Sequence, residues 1–338
     1  MTLLYATGFE MGSKDLLGDT ISSMSVVTTH VRGYWSSYSM GGNHGRFDQT
    51  VGARSEVYAG FGMYMTSTGF PDDSDEGLMS FRDAGGASTD QCGLTVRSSK
   101  LTARRGRDIF GGFGPILQDG SLTISSDRWY YIEIYVKIAN SGGRFIVYVD
   151  ENYASPDIDY TGDTQITANA SLDRISMGNS ASFWYDDLYV DSAKNWGDIA
   201  IAPLLVDGDG DHTGLSIGGS SPPANNYQAV DEVPPNDATD YVYGTGIGPY
   251  DLYTLSSTPS ELTDVKAAIA WGRAQKIDAG IAKIALGVKS GGTEDFGADQ
   301  TLSTSWAYYH RIMEVDPTDS AAWTTTKLNA LQAGVKLR

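Results

Sequence analysis

Cysteine is nearly absent from this 338-residue chain, where Cys92 stands alone. That excludes an internal disulfide framework and any zinc site built from several thiolates, and leaves the thiol as a small apolar side chain. Basic residues are also scarce: 24 Lys and Arg against 42 Asp and Glu give a formal charge of −18. Following a phosphate backbone needs the opposite balance, so nucleic acid is not an expected partner. The acidity keeps copies soluble and apart. No apolar run approaches the roughly 20 residues of a membrane-spanning helix, so no membrane insertion is expected. The first residues lack a basic flank, an apolar core and a small-residue cleavage site, and assembly in a cytoplasm is the expectation. The histidines His30, His44, His212 and His310 have no metal-ligand spacing. There is no G-x-S-x-G elbow, and Gly244–Gly248 lacks the spacing of a phosphate loop.

What the chain has instead is 40 glycines, 20 tyrosines and abundant Ser and Thr, the composition of a turn-rich β protein. Its length allows two domains, each with its own core. Val57, Ala59, Phe61, Met63 and Met65 alternate with Tyr58, Gly60, Gly62 and Tyr64, which predicts a half-buried strand. Trp129–Ile138 predicts another, and Asn140–Gly143 turns it back into Arg144–Asp150 as a hairpin. Ile175–Asp191 reads as a closing strand whose partner is Leu3–Glu10, which makes the N-terminal domain an antiparallel sandwich with its ends side by side. A change of pattern sets a domain boundary, giving 1–193 and 194–338. In the second domain Val265, Ala267, Ile269 and Trp271, then Ala282, Ile284, Leu286 and Val288, keep period two. Two strands fit that segment better than one helix carrying Gly272, Gly280 and Gly287. Trp306–Val315 is a further strand, and only Trp323–Leu331 reads as helical.

Glycoside hydrolysis requires two carboxyl groups about 5 to 9 Å apart. Along its own strand Glu133 is followed by Tyr135 and Lys137, so no second acid shares its face, and Asp186 and Asp187 are expected to point to opposite faces. The expectation is no catalytic residue and no enzyme. Asp207–Asp211 alternates Asp with Gly like the start of a calcium loop, but the later positions fail, leaving a polar turn. Asp150, Asp157, Asp159, Asp186 and Asp187, with Glu151 and Asp163 nearby, would suit a calcium ion at a sandwich rim; otherwise no cofactor is required. Arg104, Arg105 and Arg107 read as a solvated turn. Tyr34, Trp35 and Tyr38, set among Asn43, His44 and Arg46, combine rings with hydrogen-bonding groups and are the candidate glycan site; the alternative is that these rings cover the core edge or a contact between subunits.

Two resemblances follow from the order of segments. Gly8-Phe9-Glu10, Trp129–Glu133, Val147–Asp150, Ile175–Gly178 and Tyr185–Val190 resemble the concanavalin-like, or laminin-G-like, jelly roll. Trp196-Gly197-Asp198, Tyr227–Glu232, Pro234–Asp237, Lys289–Glu294 and Leu331–Val335 resemble segments of minor virion structural proteins of tailed bacteriophages. The resemblance implies an all-β chain, a jelly-roll sandwich followed by a smaller antiparallel β-sandwich. It also implies a non-enzymatic virion component in a tail, fibre or capsid decoration, assembled in the host cytoplasm. Its partners would be other virion proteins, further copies of itself in a closed assembly such as a trimer, and a host-surface glycan. The alternative is a carbohydrate-active enzyme, a glycoside hydrolase or lyase, on the same fold.

Overall fold

The computed structural model describes residues 2–13, 15, 19–21, 24–33, 36–42, 45–66, 75–83, 89–106, 114–178 and 182–338. Two compact units are present, Thr2–Ile201 and Ala202–Arg338. Residues 194–201 pack with the first unit, where Gly197 N donates to Glu133 (3.0 Å) and Ile201 N to Asp187 (2.6 Å).

Among the described residues, the first unit carries β1 (Leu3–Thr7), β2 (Asp19–Ile21), β3 (Met24–Val27), β4 (Ser39–Gly42), β5 (Arg46–Arg54), β6 (Glu56–Met65), β7 (Asp75–Asp83) and β8 (Thr89–Arg97). There follow β9 (Lys100–Arg105), β10 (Ile116–Asp119), β11 (Trp129–Lys137), β12 (Gly143–Val149), β13 (Ile158–Gly162), β14 (Leu172–Gly178) and β15 (Phe183–Asp191). They build an antiparallel jelly-roll sandwich. One sheet runs β13-β12-β11-β6-β15-β4-β3 with β1 also on β15, and the other runs β10-β9-β8-β7-β14-β5-β2. The two ends of the unit do meet: Leu3 pairs with Asp191 and Thr7 with Leu188. The stretch 175–191, however, is not one strand. Ile175–Gly178 closes β14 in the second sheet, and Gly178, at φ +126°, ends it before β15 begins in the first.

Period two decides what each strand buries. Val57, Ala59, Phe61, Met63 and Met65 line the inner face of the first sheet, with Phe47, Met79, Phe81, Leu94 and Met177 opposite them, all buried. The rings of Phe81 and Phe145 meet edge-on across the interior at 6.0 Å. Each of the Val, Leu, Phe and Met side chains contributes about 1.5–3 kcal/mol when fully buried. Cys92 sits in this layer, and burial pushes its thiol well above the ordinary value.

The second unit contains β16 (Val206–Thr213), β17 (Ser216–Gly218), β18 (Tyr241–Tyr243), β19 (Tyr250–Leu255), β20 (Ala268–Ala274), β21 (Lys283–Ser290), β22 (Thr293–Phe296), β23 (Gln300–Thr301), β24 (Ala307–Met313), α1 (Thr325–Leu328) and β25 (Gln332–Leu337). Its main sheet runs β16-β19-β25-β21-β22 with β23 on β21, beside the ribbons β17-β18 and β20-β24. Its core gathers Val288, Met313, Trp323, Leu328 and Leu331. The helix is shorter than the sequence suggested, and Thr324 caps it by accepting from Lys327 N (3.2 Å). Asp207–Asp211 is strand and not turn. Gly208 and Gly210 fall on the covered face of β16, where a Cβ on Gly210 would come within 2.7 Å of the Leu252 backbone, and the aspartates fall on the exposed face.

Candidate functional site

The same alternation that fills the core sends a second set of side chains to the other face of the second sheet, where all but Arg174 are buried. Arg46 and Asp48 flank Phe47 on β5, Arg174 and Ser176 flank Ile175 on β14, and Ser80 and Arg82 flank Phe81 on β7. Thr95 follows Leu94 on β8, while Thr102 and Arg104 flank Ala103 on β9. Register aligns them into rows: Asp48 lies opposite Ser176, Ser176 opposite Ser80, Ser80 opposite Gly93, and Gly93 opposite Arg104. Adjacent strands lie about 4.8 Å apart, so this polar band crosses five strands over a span of roughly 20 Å.

Charge is concentrated on that face. Asp48, 2% exposed, receives Arg82 Nη1 at 2.8 Å, Arg46 Nε at 3.0 Å, Arg174 Nη1 at 3.5 Å and the Ser176 hydroxyl at 2.5 Å. Asp90 receives Arg82 Nε at 3.0 Å and the Ser80 hydroxyl at 2.9 Å. Arg82 therefore bridges two carboxylates. Arg104 donates to Gly114 O at 2.7 Å, and Thr102 to Asp119 at 2.8 Å. Buried charges persist only when paired and hydrogen-bonded, and here the pairing fixes the guanidinium planes as well. Planar guanidinium groups in fixed orientation are suited to bidentate contact with carboxylate or sulfate.

A second polar cluster lies on the outer face of the first sheet. Glu133 accepts from Tyr189 OH (2.5 Å), from Tyr153 OH and from Gly197 N (3.0 Å). Burial, and then the Glu133 charge, hold both phenols well above their ordinary values, so they act as donors. Beside them Asp186 accepts from Arg32 N (3.0 Å) and Asp187 from Arg32 Nη1 (2.6 Å). The expectation that these aspartates face opposite ways fails because the strand bulges there, with Asp187 at φ +50°, and both turn toward Arg32. Burial raises both carboxyls above the usual range; the neighbouring Asp187 charge raises Asp186 further, and Arg32 opposes the rise in Asp187. Ser36 Oγ faces Glu10 at 2.6 Å, Tyr38 O at 2.8 Å and Asp186 at 3.1 Å. One hydroxyl hydrogen cannot serve three acceptors, and burial raises the Glu10 carboxyl above its ordinary value as it does that of Asp186.

The residues singled out from sequence are scattered by the fold. Of the expected glycan site, Tyr34, Trp35, Asn43 and His44 lie outside the described residues; Tyr38 precedes β4 in the first sheet, and Arg46 belongs to the charged face of the second. Arg104 and Arg105 do not decorate a turn. They end β9, Arg104 is buried, and Arg105 reaches Gln165 O (2.9 Å) and Asp163 (2.8 Å); Arg107 lies outside the described residues. The expected calcium ligands are not brought together. Asp150 holds Arg128 (2.6 Å), Asp157 takes the backbone of Ser121 (2.8 Å) and Leu122 (2.7 Å), Asp159 holds Arg144 (2.5 Å), and Asp186 and Asp187 surround Arg32. Among the described residues no three His, Cys, Asp or Glu side chains are placed to hold a metal ion. The five do not form a coordination shell. The missed residues, Asp48, Ser80, Arg82, Asp90, Arg174 and Ser176, carried one signal: charged or hydroxyl residues at the polar positions of successive alternating strands.

No protein-family model and no curated protein matches this chain. Solved structures do. The cellulose-induced protein Cip1 matches with 15% identity and a TM-score of 0.42, over 56% of this chain and 98% of its own. A carbohydrate esterase of the Shiga toxin-encoding bacteriophage phi24B gives 10% and 0.40, over 57% and 99%. The alginate lyase vAL-1 from Chlorella virus gives 10% and 0.40, over 56% and 99%. At these values the likeness describes the β-sandwich and nothing finer. Lyases and an esterase stand among the matched sandwiches, so the fold gives no ground for the expectation of a non-enzyme, which is withdrawn. Counting acids along one strand also misses those that a sheet gathers across strands, as it does Asp48 and Asp90 around Arg82.

Proposed function

We propose that this protein is carbohydrate-active and that its first unit takes an anionic polysaccharide across the outer face of the second sheet. One observation carries the reading: four arginines and two aspartates, interspersed with serine and threonine, occupy one face of five successive strands. Arg174, partly exposed, would hold a carboxylate of the polymer, with Arg46 and Arg82 fixed behind it by Asp48 and Asp90. Asp90, ion-paired with Arg82 and accepting from the Ser80 hydroxyl, is the carboxylate we assign to proton transfer at the cleaved linkage. The phage-like segments support a particle-borne setting, with a host-surface polysaccharide as the polymer encountered and further copies or other virion proteins as partners.

The test is to incubate the full chain with alginate, polygalacturonate, hyaluronan and neutral glucans. Elimination is read as the ultraviolet absorbance of an unsaturated uronate, and hydrolysis as new reducing ends. Cleavage of an acidic polymer, lost in Asp90→Asn with binding retained and weakened in Arg174→Ala, is expected. Cleavage and binding confined to neutral polymers would sink the reading.

A further inference from the structure

A ring-lined surface in the second unit is independent of the charged face. On the ribbon β20-β24, Trp271 lies opposite His310 and Arg273 opposite Tyr308. The alternate residues Ala270, Ala274 and Tyr309 pack against the cluster of Ile284, Leu286 and Leu302, and a Cβ on Gly272 would come within 3.0 Å of Leu286. Trp271, Arg273, Tyr308 and His310 therefore share the other face. The Trp271 ring is 4.7 Å from His310 and 6.5 Å from Tyr308, which it meets edge-on at 81°. The Arg273 guanidinium lies 4.9 Å from the Tyr308 ring centre and grips Asp237 through Nε (2.6 Å) and Nη2 (3.0 Å).

The rings continue onto the second ribbon. Trp306, just before β24, meets Tyr241 at 6.2 Å, and Tyr241 meets Tyr243 at 6.2 Å. Opposite them on β17, Gly218 presents bare backbone. A Cβ there would approach Tyr241 to 2.7 Å and Tyr243 to 3.1 Å, so the glycine makes room for both rings, which meet edge-on at 67°.

All these rings are partly exposed, Tyr243 by half. They are not the unit's core, which Val288, Met313 and Trp323 supply elsewhere. Aromatic faces bordered by fixed polar groups bind sugar rings, stacking on the C–H face and bonding the hydroxyls. Asp237 offsets the charge of Arg273, and burial lowers the His310 pKa, so the strip carries no net positive charge that would attract a polyanion. We propose that the strip of Tyr243, Tyr241, Trp306, Tyr308 and Trp271 is a binding site for a neutral oligosaccharide.

The test is tryptophan fluorescence of the full chain titrated with cellohexaose, xylohexaose, mannohexaose and maltohexaose. A saturable change with at least one is expected. Trp306→Ala and Tyr243→Ser should each weaken it by about tenfold, the worth of one ring contact. Tyr243 is exposed enough that its variant should keep the wild-type melting temperature, and Arg174→Ala in the first unit should bind the hexaose normally, which separates this site from the charged face. No response to any hexaose, or wild-type affinity in both ring variants, would overturn the proposal.

Discussion

Asp48→Asn removes one charge from the centre of the arginine face while keeping the side chain's shape. In the native chain this carboxylate, 2% exposed, is approached by Arg82 at 2.8 Å, Arg46 at 3.0 Å and Arg174 at 3.5 Å. The amide could still accept from Ser176, but its NH2 would face a guanidinium with no acceptor between them. Removing one partner of a buried ion pair costs about 3–5 kcal/mol, because the remaining charge stays buried. For a unit of this size each kcal/mol lowers the melting temperature by about 2–4 °C, so a fall of about 6–20 °C is expected by calorimetry. The same experiment probes function. An anion that occupies the face replaces the missing charge, so sulfate or alginate oligomers should recover more stability in Asp48→Asn than in the parent chain, through binding to the folded state alone. A loss below about 1 kcal/mol, with no selective recovery by anions, would refute both the energetic argument and the proposal that this face takes an anionic ligand.

Two further outcomes follow from the first sheet. Glu133→Gln should cost about 1.5–3 kcal/mol in urea denaturation, because it weakens charge-assisted bonds from Tyr189, Tyr153 and Gly197, yet should leave polysaccharide cleavage unchanged; loss of cleavage in a stably folded variant would move the active site to this sheet. Asp186 and Asp187 have folded-state pKa values raised above those of the unfolded chain, so the native state binds the extra proton. Their contribution is fully present below the unfolded value of roughly 4 and is lost as pH climbs through the raised folded values. Denaturation midpoints of the first unit should therefore fall from mildly acidic to alkaline pH, and a midpoint that rises over this range would contradict the raised values.

Much of the fold was legible locally. Val57–Met65 alternates apolar with other residues and is β6; Asn140–Gly143 is turn chemistry and joins β11 to β12; the two short periods in 262–290 are β20 and β21. Each rests on side-chain spacing within one segment, which sequence states directly. The bulge at Asp187 was not legible, because whether a strand keeps its alternation depends on what its neighbours require.

The sequence by itself determined that this chain is an antiparallel β protein with two cores, that it has no internal disulfides, and which positions of each strand are apolar. Only the tertiary structure decided that Arg46, Arg82, Arg104 and Arg174, separated by up to 128 residues, stand on one face with Asp48 and Asp90 between them. Alternation says that a side chain points away from its neighbours, but strand order says what it points toward. That order is fixed by long-range pairing, whose partners no local pattern names.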